Sequence, residues 1–247
     1  MKSTERHKLK QDDFARSVAM ARDAFSTRSR DITRAVIAAL VVVAVIAGYT
    51  MWRQSRNAKA NAALAHGLAV FEAPVVPVQA PQPGSPLPVQ QAGTFQTEHA
   101  KYEAALPKLM EAADAHPNTE AGIAARYYAA SALAALGRFG EAEQRFQEVA
   151  DKAGSRSIYS RTGRLGLADA KAAQGKYDDA ITIYRELSTD TNSGMPVDGV
   201  LMILGRTYLQ AGRTEEAVRA FTRVVDEFPQ SVYAADARRE RDEARKG

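Results

Sequence analysis

The sequence predicts an all-α protein, with one N-terminal transmembrane helix followed by a solenoid of helical hairpins. Three observations predict it. An uncharged apolar run fills residues 35–52, a cluster of prolines interrupts the chain soon after, and a glycine-centred pattern then recurs three times. The 247 residues are 45% hydrophobic and 25% charged, within the range of folded globular chains.

The first element is a basic tail, residues 1–34, with nine Lys or Arg against five acids. The rest of the chain carries 24 of each sign, so the net charge of +4 belongs to the tail. A nucleic-acid-tracking protein needs clustered cations on its folded domain, and that class loses support here. Within the tail, Phe14, Val18, Ala21 and Phe25 recur at helical spacing among Arg16, Arg22 and Arg28. Such an amphipathic helix lies on an anionic leaflet or docks on a partner.

Residues 35–52 (AVIAALVVVAVIAGYTMW) contain no charge. As a helix they span about 27 Å, close to the hydrocarbon thickness of a bilayer. A core helix of a soluble protein would show a polar face, and this run has none before Tyr49 and Thr50. Ala58, Lys59 and Ala60 imitate a signal-peptidase site. However, the charged stretch before the run is long, and Arg53 and Arg56 separate the run from the triplet, so an uncleaved anchor is expected. Five cations flank the run on its N-terminal side (Arg16, Arg22, Arg28, Arg30, Arg34) and three on the other (Arg53, Arg56, Lys59). The N-terminus is therefore expected in the cytoplasm, with Tyr49 and Trp52 at the far interface and the bulk of the chain across the membrane. Ala44 and Gly48 are spaced as a small-residue pair that supports helix packing in lipid.

A helix is expected over residues 53–72, where Ala60, Leu64, Gly67 and Phe71 make an apolar stripe. Six of the ten prolines then fall between Pro74 and Pro88. Proline lacks an amide donor and fixes φ, so residues 73–96 are expected to form an extended linker or insertion, or a ligand for a proline-recognising domain.

Residues 97–247 form the second part. Three segments align on Gly137, Gly175 and Gly212, which are 38 and 37 residues apart. Seven residues before each glycine stands a small residue (Ala130, Ala168, Gly205), and five after it an alanine (Ala142, Ala180, Ala217). Nine after comes an aromatic (Phe146, Tyr184, Phe221), and twelve after an aliphatic (Val149, Leu187, Val224). Physically this is a helical hairpin. The glycine ends the first helix in the left-handed conformation, the small residues admit a close partner helix, and the aromatic fills the remaining groove. One hairpin leaves a face bare, so several must stack. Ala105, Leu109, Ala112 and Pro117 match the second helix of an earlier hairpin, with Thr97 as its N-cap and residues 56–71 as its partner. Pro107 predicts a kink or a late helix start, since an interior proline costs about 3 kcal/mol. After Pro229 a polar segment, SVYAADARRERDEARKG, is expected to cap the stack.

These positions resemble the tetratricopeptide repeat. The third segment matches most fully, through Leu201, Leu204, Gly205, Tyr208, Ala217, Phe221, Val224 and Pro229. The middle one departs by placing Lys171 where a large apolar residue is usual, and the units exceed the usual length of about 34 residues. The resemblance implies a concave surface lined by the first helices and places Tyr127, Ser131, Leu165, Asp169, Met202, Arg206 and Leu209 on it, as a groove for an extended or helical segment of a partner protein.

No enzymatic chemistry is expected. The absence of cysteine excludes a thiol nucleophile, a thiolate metal site, a disulfide and a lipidated cysteine. His7, His66, His99 and His116 are scattered without ligand spacing, and neither a phosphate-cradling glycine loop nor a GxSxG elbow occurs. Asp178 with Asp179, and Glu215 with Glu216, open second helices, where negative charge complements the helix dipole. No cofactor or metal is expected.

The layout as a whole, with RHKLKQDDF at Arg6–Phe14, one span and a repeat domain beyond it, resembles the ancillary subunit family of the bacterial Sec translocon. That resemblance implies a single-pass inner-membrane protein with a periplasmic repeat domain. Its implied partners are the SecYEG translocon and periplasmic chaperones, between which it links exported polypeptides. An envelope-assembly or cell-division scaffold, or a regulator of a peptidoglycan hydrolase, would use the same groove.

Overall fold

Short-range backbone chemistry sets where the helices start and stop. The computed structural model describes residues 4–77, 91–154, 157–189 and 194–246, with residues 4–32 described by their backbone. The side-chain stripe Phe14–Phe25, the RHKLKQDDF side chains and most of the proline cluster (78–90) lie outside the described residues. The chain divides into two units, residues 1–56 and 57–247. Every element among the described residues is helical, apart from one isolated bridge.

Helix α1 (Thr4–Phe71) carries the apolar run in its part within the first unit. Among the described residues it is the one helix long and apolar enough to cross a membrane. Its large side chains from Val36 to Trp52 are exposed. The Thr50 hydroxyl donates to the Ala47 carbonyl at 2.9 Å and so carries no unmet donor into an apolar medium. Toward the end of the run Tyr49 and Trp52 approach within 6.1 Å, and the Arg56 guanidinium lies 4.9 Å above the Trp52 ring. Such aromatic and cationic groups favour a membrane–water interface.

In the second unit, residues 57–71 pair with α2 (Glu98–Ala115). Gly67 seats Leu109 so closely that a Cβ there would lie 2.5 Å from a Leu109 methyl. Between these helices the ends of the insertion are pinned together, Val76 N–H donating to Phe95 at 2.8 Å and Phe95 N–H to Pro74 at 3.0 Å. Helix α2 begins at Glu98, where the Thr97 hydroxyl accepts from Ala100 N–H at 3.1 Å. The late start expected from Pro107 does not occur, because this cap nucleates the helix ahead of the proline.

The hairpins α3–α4 (Glu120–Ala135, Phe139–Lys152), α5–α6 (Ile158–Ala173, Tyr177–Thr189) and α7–α8 (Val197–Gln210, Thr214–Glu227) follow, then α9 (Ala234–Ala244). Each aligned glycine sits between the two helices of a hairpin. Gly212, for example, has φ +73°, and beyond it Arg213 N–H reaches back to the Tyr208 carbonyl at 2.8 Å. Gly137 and Gly175 repeat this arrangement through Arg138 to Leu133 and Lys176 to Lys171.

The core follows the aligned positions. Ala142, Ala180, Ala217, Phe146, Tyr184, Phe221, Val149, Leu187 and Val224 are all buried. The ring of Phe221 presses on Gly205 within its own hairpin, while Phe146 presses on Gly166 of the next. One set of rings thus closes hairpins and joins them. The departure at Lys171 has a physical explanation. Its ammonium reaches Glu143 of the preceding hairpin at 3.0 Å and Asp179 at 2.9 Å, and Lys176 and Gln174 also bind Glu143, at 2.8 and 2.7 Å. A polar clasp here replaces an apolar contact. Chiefly through Lys176, then Lys171 and Gln174, it holds the Glu143 carboxyl down to about 2.

Two outcomes follow. Replacing Gly205 with alanine forces Phe221 aside and costs about 1–3 kcal/mol by urea unfolding, whereas Gly140→Ala, where a Cβ meets only the Gln174 Oε1 at 3.9 Å, costs nothing. The Glu143 clasp stabilises the fold above the ordinary carboxylate pKa near 4.5, and its contribution is lost as pH falls toward 2. Glu143→Gln should therefore lower the melting temperature at neutral pH, by the equivalent of about 1–2 kcal/mol, and the gap to the parent chain should narrow on acidification.

Candidate binding groove

Stacking in register brings the first helices α3, α5 and α7 onto one face. Three adjoining pockets of about 270, 570 and 470 Å³ open along it. Tyr127, Ser131, Leu165 and Asp169 line the first, between α3 and α5. Leu165, Met202 and Arg206 border the largest, and Asp169 and Arg206 the third. Six of the seven residues assigned to the face thus border one continuous groove, and Leu209, 37% exposed on α7, lies outside these three pockets.

Their availability differs. Met202 is 1% exposed and belongs to the core around α7, so it is a buried wall residue and not the contact residue expected. Tyr127 is partly buried, its ring packed against Tyr128, Phe146 and Tyr159 at 5.4, 5.8 and 5.7 Å, and burial raises its phenol pKa. Ser131 donates to the Tyr127 carbonyl at 3.0 Å. Arg206 is held by Glu240 of α9, with nitrogen–oxygen distances of 2.5 and 3.0 Å. Asp169 accepts from the Tyr184 hydroxyl at 2.5 Å. Its carboxyl opens to the groove yet is crowded by protein, and that desolvation raises its pKa. Burial, and then the Asp169 charge, push the Tyr184 phenol up in turn.

Other residues complete the face. Thr162 and Ile158 stand three and seven positions before Leu165, a helical spacing that puts them on its side of α5. Ile203 lines both larger pockets, and Tyr233, just before α9, closes one end. Among the described residues no three His, Asp or Glu side chains converge as a metal site requires. The chemistry on offer is recognition, by apolar walls with a few oriented polar groups.

The Tyr184 hydroxyl and ring contribute separately. Tyr184→Phe, which deletes the bond to Asp169, should cost about 1 kcal/mol in urea unfolding. Tyr184→Ala also removes the ring that closes the hairpin and should cost about 3–5 kcal/mol.

Among known proteins, the tetratricopeptide repeat family matches residues 165–232 and 203–241. A search of curated proteins finds no match. Two solved structures are similar: the nearly identical TPR-like repeats of a Podosopora anserina protein described as a kinesin light chain, and a substituted form of the same repeats. Each is 17% identical with a TM-score of 0.53 and covers 60% of this chain, and the match takes in 80% and 79% of their own lengths, respectively. That likeness is one of fold. Residues 165–241 thus match tetratricopeptide repeats, and the stacked helical hairpins have the fold of a tetratricopeptide-type solenoid.

Proposed function

We propose that this chain is a membrane-anchored scaffold that holds segments of other proteins along α3, α5 and α7. The observation that carries the reading is the continuous open groove, along which Leu165 and Ile203 stay partly exposed and Ile158 is exposed at the rim. The anchor is residues 35–52, with the basic tail 1–34 in the cytoplasm and the repeat stack in the periplasm of a bacterial cell. The five-to-three excess of flanking cations supports this orientation. In its finer form the reading is an ancillary Sec translocon subunit that passes exported polypeptides to periplasmic chaperones, a role supported by the resemblance of the tail and of the overall layout. The groove needs no catalytic group for this, only shape, apolar surface and oriented charge.

Photocrosslinking in intact cells tests it. A benzophenone amino acid at Ser131, Thr162 or Leu209 should capture Sec channel subunits and periplasmic chaperones, and the same group at Gln147 or Arg219, exposed on second helices, should not. Adducts with cell-division or outer-membrane assembly proteins would assign the scaffold to those systems. Equal capture from both sets of positions would remove the groove from the account.

A further inference from the structure

The largest pocket is bordered by a charge that has no partner among the described residues. Its walls are apolar, formed by Leu165, Pro196, Val200 and Ile203, and Ile158 and Tyr233 stand at its rim, 61% and 38% exposed. Two guanidinium groups border it, and their situations differ. Arg206 is clasped by Glu240. Arg161, one turn before Leu165 on α5, has no ion pair or hydrogen bond among the described residues, and its Nε is sealed from solvent without an acceptor. Among the described residues, carboxylates on the surrounding elements are engaged elsewhere: Glu186 with Arg164, Asp169 with Tyr184, Asp198 with the Ser231 hydroxyl at 2.5 Å, Asp236 with Arg239 and Glu240 with Arg206. Arg161 is only partly buried, and the rest of its guanidinium borders the open pocket, where a ligand can supply the acceptor that the described residues do not. The planar fork of an arginine matches a carboxylate.

We propose that this pocket takes an acidic–apolar segment of a partner protein. An aliphatic or aromatic side chain enters between α5 and α7, and a neighbouring Asp or Glu carboxylate accepts from the Arg161 guanidinium. The inference rests on the reading of the groove as a protein-binding face and adds the chemistry of its occupant. It also makes Arg161 dispensable for folding. Arg161→Leu should leave the melting temperature unchanged or raise it, whereas a structural arginine would lower it.

The test is selection from a random-peptide phage library on the full chain in lipid nanodiscs, followed by hydrogen exchange with the selected peptides. Enriched peptides should place Asp or Glu close to a large apolar residue and should protect residues 158–165 and 197–206. With Arg161→Gln the acidic preference should disappear, and affinity for the selected peptides should fall about tenfold or more. With Arg161→Glu the preference should turn to Lys or Arg. Peptides that protect the groove without an acidic preference, or whose preference survives Arg161→Gln, overturn this inference and leave the groove reading intact. Peptides that protect only other surfaces, or no enrichment at all, overturn both.

Discussion

The closeness of two helices in a hairpin depends on a small residue on one facing a bulky one on the other. Gly205 receives Phe221 and Gly67 receives Leu109, and the pairs Ala130 with Phe146 and Ala168 with Tyr184 lie buried at the same positions. A larger side chain on the first helix would force the pair apart, because a packed core has no slack to absorb it. The same bulky side chains reach onward. Phe146 presses on Gly166 and Val149 on Gly163, so the contact that closes one hairpin sets the position of the next. The groove is a consequence, since α3, α5 and α7 share a face only while these contacts hold them in register.

Charge does two kinds of work on this scaffold. Where the middle hairpin lacks a large apolar residue at Lys171, a four-membered clasp on Glu143 ties α4 to the following hairpin, a half-buried arrangement stronger than an isolated surface pair. At the C-terminal end Glu240 of α9 holds Arg206 and secures the last helix over the stack. Along the groove itself the polar groups are few and separated, so the Arg161 guanidinium, without an ion pair among the described residues, stands out against an apolar wall.

The hairpins were legible in the sequence because their determinants are local and repeat: turn glycines, small residues and rings recur at one spacing, and periodicity is enough to pair them. Which face of α3, α5 and α7 lines the groove was an expectation from the resemblance to the tetratricopeptide repeat, not from spacing alone. Neither told what covers that face. Met202 has the same register as Tyr127 and Leu165 yet is buried by its neighbours, and Arg206 is occupied by a helix outside the aligned repeats. Arg161 carries no mark in the sequence, since only its tertiary surroundings show that it has no partner among the described residues. Pro107 erred in the other direction. Its intrinsic cost was overridden by the Thr97 cap and by the packing of Leu106 and Leu109.

Adjacent residues on a first helix should therefore have opposite fates, one sealed against the bulky side chain of the partner helix and one open to the groove. The chain has no cysteine, so single cysteines can report this by maleimide labelling of the folded protein. Cysteine at Ser131 or Leu209 should label rapidly, and cysteine at Ala130 or Ala168 only after unfolding. Equal labelling of Ala130→Cys and Ser131→Cys in the native state would contradict the interlock on which the groove depends.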